Sequence, residues 1–146
     1  MTADDGAAVE TAEAFVNAIA WGEHHRVWEL LGEEGRTTVL RVAATRGMDQ
    51  GLATRLREGT ASAEEQEEFL GDLLNGLRAD LAGNDLDTVS YRVDPEGSGP
   101  GRARVKLLAA LPEPLAAAGD LPVGTVELVD ESGGWRVDRL VPQVSR

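Results

Sequence analysis

The chain's only two histidines stand side by side in "WGEHHRVWELL", residues 21 to 31, between two of its three tryptophans. Imidazole moves protons near neutral pH and binds borderline metal ions, so His24 and His25 are the first candidates for chemistry. Adjacent residues of a helix project about 100° apart, however, and regular helix geometry does not aim both rings at one ion. His25 and Glu29 have i, i+4 spacing, but two ligands without a further histidine or cysteine make a weak metal signal. His24 with Trp28, and Trp21 with His25, share that spacing and fit simple stacking. The expectation is two separate residues, structural or solvent-facing, with no metal and no cofactor.

Two further patterns carry possible chemistry. Tyr91 and Arg139 fall on strand positions that alternation places among apolar residues, and a buried phenol or guanidinium needs a partner. Either they face a ligand, or Tyr91 is core while Arg139 snorkels or is turned outward by a bulge. The run "EEQEE", residues 64 to 68, places Glu64 and Glu68 at i, i+4. It lies in the first turns of an expected helix, where acids complement the macrodipole, so it reads as a solvated helix start. Asp138 faces away from Arg139 under strict alternation and gives no Asp-Arg pair. There is no phosphate-binding glycine loop, nucleophile elbow or dinucleotide fingerprint; "GSGPG", 97 to 101, joins two strands and reads as a turn.

The elements that must position these residues change character halfway along the chain. Residues 1–83 show apolar spacing of three and four. Val9, Ala12, Val16 and Ile19 form a stripe that ends near Gly22. A second helix starts near Glu23 with Val27, Leu30 and Leu31, and a third, with Val39, Leu40 and Ala43, stops near Gly47. Asp49 caps a short piece carrying Leu52 and Leu56, with Gly59 after it. Ser62 and Glu65 have capping-box spacing ahead of Leu70, Leu73, Leu74, Leu77 and Leu81, and Gly83-Asn84 closes that helix.

Residues 84–146 switch to a period of two. Four strands are expected, at 86–93, 102–111, 123–130 and 135–142, and short links favour an antiparallel meander. The segment 112–122, with three prolines, is a longer connection. Alternation gives one apolar face, with Val89, Tyr91, Val93, Val105, Leu107, Ala109, Val126, Leu128, Trp135 and Val137, that the helices should cover. The other face carries Thr88, Ser90, Arg92, Arg102, Arg104, Lys106, Thr125, Glu127, Arg136 and Asp138, and suits solvent or a polar dimer contact. The expected fold class is therefore α+β: N-terminal helices on a curled C-terminal four-stranded meander, in one domain spanning 1–146.

Composition bounds the rest. The 146 residues hold no cysteine, which removes disulfides, thiolate metal sites and a cysteine nucleophile. Acids outnumber bases 26 to 14, for a formal charge of -12, and this repels nucleic acid and anionic lipid over most of the surface. The excess is uneven: residues 1–83 hold 16 acids and 7 bases, residues 84–146 hold 10 and 7. The acidic start lacks a signal peptide's basic and apolar segments, and no apolar run spans a bilayer. A cytoplasmic location is expected, with no nucleic-acid or membrane partner.

The segment "AEAFVNAIAWGEHHRVWELLGEEGR" resembles the opening of nuclear transport factor 2-like (cystatin-like) domains, with an amphipathic helix, a glycine, and a helix ending in two leucines. The ending "DESGGWRVDRLVP" is similar to that family's last hairpin, where a Gly-Trp pair starts the final strand. The helical stretch from 33 to 82 departs from the family, many of whose members have a strand or hairpin there. The resemblance implies a sheet curled into a cone around the long helix, with an open end that holds a small molecule, and a homodimer formed through the sheet. The corresponding pocket expectation is Trp28, Tyr91, Leu107, Trp135 and Arg139. Fold does not fix activity. The first functional expectation is a non-catalytic binding domain for a small apolar or anionic ligand or a protein partner. The alternative is an isomerase or cyclase type of enzyme, with Tyr91 and Arg139 polarising a carbonyl and His24 or His25 as base. A third class, an assembly module for a neighbouring enzyme, is not separable from the first.

Overall fold

The computed structural model describes residues 3–81, 89–109, 121–131 and 134–142. Five helices come first: α1 (Ala3–Trp21), α2 (His24–Leu30), α3 (Glu33–Thr45), α4 (Gln50–Glu58) and α5 (Ala63–Asp80). Four strands follow: β1 (Ser90–Val93), β2 (Arg102–Ala109), β3 (Leu121–Glu131) and β4 (Gly134–Pro142). They form one antiparallel sheet in the order β1-β2-β3-β4. This is the α+β layout expected from the switch in hydrophobic period. The expected connection at 112–122 and the helix stop at Gly83-Asn84 lie almost wholly outside the described residues.

Local chemistry explains the helix limits. The Asp49 carboxylate accepts the Leu52 amide at 3.0 Å and starts α4, and Gly59, at φ 77, ends it in the left-handed region. At the start of α5, Ser62 Oγ accepts the Glu65 amide while the Glu65 carboxylate accepts the Ser62 amide, both at 3.1 Å. Where α2 gives way to α3, the chain lies along the free edge of β4: Leu31 bridges Val137 in parallel, and the Gly32 amide donates to the Val137 carbonyl at 2.8 Å. Gly35 allows this approach, because a Cβ there would stand 2.7 Å from the Val137 carbonyl oxygen and 2.9 Å from that of Asp138.

The main core lies between α1 and the sheet. Phe15, Val16 and Ile19 meet Val105, Leu107, Val126, Leu128 and Val137, all of them fully buried. Among the described residues, the space between α1 and the sheet is thus occupied by packed side chains. A second, smaller cluster joins the later helices through Leu40, Leu56, Ala61, Phe69 and Leu70. Trp28 packs against both clusters; its ring meets Phe69 edge-on at 5.4 Å, and the Arg36 guanidinium lies 4.9 Å from its centroid. Trp21, in contrast, projects into solvent.

A register shift reassigns the end of β4. Val137 pairs with Leu128 but Arg139 pairs with Glu127, leaving Asp138 as the extra residue of a bulge. The bulge moves Arg139 off the apolar face and brings Leu140, opposite Val126, onto it. The outer face consequently gathers Arg92, Arg102, Arg104, Lys106, Arg136 and Arg139 on a chain that is acidic overall. Glu127 accepts from Arg104 at 3.3 Å and lies 3.6 Å from Arg139, and Asp94 is 3.9 Å from Arg104.

Candidate functional site

Of the expected pocket residues, Tyr91 and Leu107 are cross-strand neighbours and Trp28 and Trp135 pack against the same core, whereas Arg139 lies apart on the outer sheet face. Leu107 is fully buried in the α1–sheet core, and Trp135 packs on the edge of that core opposite Asp130. Trp28 is held between Phe69 and Arg36, as described above. Arg139 stands mostly exposed beside Glu127 on the outer sheet face. Tyr91 pairs with Leu107 on the inner face and is half-buried; among the described residues its hydroxyl has no hydrogen-bond partner. Burial, followed by the negative charge of Glu13, pushes its phenol up to about 12. The histidines sit on α2 against α5. Tyr91, Arg139 and the histidines therefore occupy three different places, so the carbonyl-polarising set expected of an enzyme is not assembled.

The structure brings together something else at the histidines. His24 Nε2 lies 2.7 Å from one oxygen of Glu67 and His25 Nε2 lies 2.5 Å from the other. The two rings are 4.5 Å apart and tilted by 39°, so they stack on each other and not on the tryptophans. The roughly 100° between neighbouring helix positions is spanned because each ring uses a different oxygen of one carboxylate. Hydrogen bonds from His25 and then His24 hold the Glu67 carboxyl below the usual carboxylate range. These are the residues that could hold a metal, since the three ligand atoms lie within 4.8 Å of one another. Glu67 was hidden in "EEQEE" because helix periodicity does not say which residue of α5 faces α2.

A groove forms the other candidate site. It has a volume of about 800 Å³ and runs between α3, α4, α5 and the edge of β4. Phe15, Leu31, Val39, Val42, Ala43, Met48, Leu52, Phe69, Leu73, Leu77 and Leu140 make its apolar wall. Its rim carries Arg46, Glu65, Glu68, Asp72, Asp80, Asp138 and Arg139. Glu65 is bound to Arg55 at 2.6 Å, which together with the Ser62 amide holds its carboxyl below the usual range. Arg139 is turned toward Glu127. Glu68, Asp72, Asp80 and Asp138 form no ion pair among the described residues, so the rim is predominantly negative. Of the expected pocket residues only Arg139 borders this groove. Gly76 lines the groove from α5 at an exposed position, and a Cβ there would meet nothing within 4 Å.

Sequence periodicity signalled the walls of the groove, since Val39, Ala43, Leu52, Leu73 and Leu77 were assigned as apolar helix positions. It did not signal that α3 and α5 stand apart. The chain matches no protein-family model, no curated protein and no solved structure. Among the described residues no helix is long and apolar enough to cross a membrane.

Proposed function

We propose that this chain is a non-catalytic binding domain with a nuclear transport factor 2-like layout, and that its ligand lies in the groove between α3, α4, α5 and β4 and not inside the sheet. The observation that carries this reading is the 800 Å³ groove itself, apolar along its walls and charged at its rim, beside a sheet interior already packed with side chains. Binding sites for small molecules have this size and this division of apolar lining and few polar groups. The rim favours a neutral or cationic apolar ligand over an anionic one, because its unpaired charges are mainly carboxylates. The order of elements, helices and then a meander opened by Gly134-Trp135, supports the family layout.

Nile red, dodecylamine and dodecanoate provide the test, with Gly76→Phe as the variant. The added ring stands at the exposed α5 border of the groove without meeting other atoms, and replacing a helix glycine also favours α5. Nile red and dodecylamine are expected to bind the native chain, dodecanoate more weakly, and Gly76→Phe is expected to lose binding while keeping its melting temperature. Equal binding by Gly76→Phe would reject the groove as the site.

The homodimer through the sheet belongs to the same proposal, with one condition that the outer face imposes. Two copies of a face bearing Arg92, Arg102, Arg104, Lys106, Arg136 and Arg139 repel, and Glu127 and Asp94, paired within the chain, offset this only in part. Salt screens that repulsion within about 8–10 Å. Light scattering is expected to show more dimer as ionic strength rises. A dimer that weakens with salt would place the contact elsewhere.

A further inference from the structure

We propose that His24, His25 and Glu67 form a binding site for one divalent transition-metal ion of the zinc type, clipping α2 to α5. Two imidazole nitrogens and a carboxylate are the donor set that borderline ions select, and hard cations such as Mg²⁺ do not favour imidazole. Among the described residues this is the group of histidine and acidic side chains whose ligand atoms converge to within 4.8 Å. The residues come from helices more than forty positions apart in sequence, so the convergence is tertiary and not a by-product of helix spacing.

The surroundings of the trio suit the exchange of its protons for a metal. His24 Nδ1 faces the Gly22 carbonyl at 3.4 Å, and its Nε2 faces Glu67. Both partners can only accept, and a neutral imidazole carries one N–H, so without a metal the Nε2–H of each ring donates to Glu67 and His24 Nδ1 is left with a long contact to Gly22. With a divalent ion bound, the Nε2 atoms and the carboxylate would be the ligands, the Nε2 protons would leave to solvent, and the hydrogen of His24 would move to Nδ1, where the Gly22 carbonyl accepts it as metal-bound histidines commonly require. Ligand atoms of a tetrahedral ion sit about 3.3 Å from one another. The present contacts of 2.7 and 2.5 Å open to that separation by small rotations of side chains that are 28% (His24) and 55% (His25 and Glu67) exposed. Water completes the shell.

The test uses the whole chain, freed of metal by chelator, titrated calorimetrically with zinc chloride and with magnesium chloride as the control. One zinc per chain and a raised melting temperature are expected, with no comparable effect of magnesium. His24→Ala, His25→Ala and Glu67→Gln are each expected to weaken zinc binding by about tenfold or more. Cobalt should give visible absorption bands of an imidazole-ligated ion. In the native chain the ring ¹⁵N resonances of both histidines should shift with zinc, a readout that remains if a variant fails to fold. Zinc and magnesium binding alike, a His24→Ala/His25→Ala double variant binding zinc as the native chain does, or unmoved imidazole resonances would overturn the site and leave the trio as an ion pair only.

Discussion

The two apolar clusters of this chain are built from similar residues and behave differently. Between α1 and the sheet, Ile19, Leu107 and Leu128 are at most 2% exposed and none of them lines the groove. Among α3, α4 and α5, Leu40, Leu56, Phe69 and Leu70 are 4 to 9% exposed, and Phe69 lines an open groove. A sheet face is closed by one long helix laid across it, because its side chains project in a single plane at close intervals. Three helices of unequal length around a corner have no such common plane. The resemblance read from the sequence points to the sheet side as the place for a ligand, yet among the described residues the sheet side is packed with side chains and the open groove runs along α3, α4 and α5.

The largest expected effect comes from removing a side chain on the solid side. Leu107→Ala deletes atoms that are fully enclosed, and is expected to cost roughly 3 kcal/mol or more, through lost transfer energy plus an unrelaxed cavity. Leu56→Ala, in the smaller and slightly more exposed helical cluster, is expected near about 2 kcal/mol, the low end of such changes. Urea denaturation of the two variants measures the gap. Equal losses would mean that the helical cluster is as tightly packed as the sheet core.

Gly35→Ala tests the seam where the two regions meet. The added Cβ would stand within 3 Å of two backbone carbonyl oxygens of β4, which cannot rotate aside as a side chain can. The α3–β4 contact must then move, at a cost of roughly 1–3 kcal/mol. Because Gly35 also lines the groove, Nile red affinity should fall together with the melting temperature. Loss of stability with unchanged affinity would detach the groove from the edge of β4.

Most elements were legible in the sequence, for physical reasons visible in particular residues. The capping box at Ser62 and Glu65 and the Asp49 cap are local chemistry, complete within four residues, and both formed as expected. The four strands followed from alternation, since each buries one face. What was not legible depends on a single extra residue or on tertiary placement. Asp138 has nothing in its type that marks a bulge, yet it reverses the sides taken by Arg139 and Leu140. Glu67 is one acid among several in "EEQEE" until α2 is laid across α5. Trp21 and Trp28 have the same residue type and opposite environments, because Trp21 ends α1 in solvent whereas Trp28 falls on the side of α2 that meets Phe69.

Tyr91 carries the smallest expected effect and the most direct challenge to the contrast between a solid sheet and an open helical groove. It is the chain's single tyrosine, so an ultraviolet titration reads this phenol alone. The titration should come at about 12, from burial against α1 and the nearby Glu13 charge. A folded-state value raised above the ordinary tyrosine value near 10 means that the neutral form is favoured by folding. Its contribution is present below pH 10 or so and is lost as pH rises through the folded value. Tyr91→Phe removes the titration without emptying the core, and since the hydroxyl has no partner among the described residues, stability should change by no more than about 0.5 kcal/mol. Nile red and dodecylamine binding should also be unchanged, because Tyr91 does not border the groove. If Tyr91→Phe abolishes probe binding while the fold is kept, the ligand enters beside the sheet after all, and the solid side and the open side have to be exchanged.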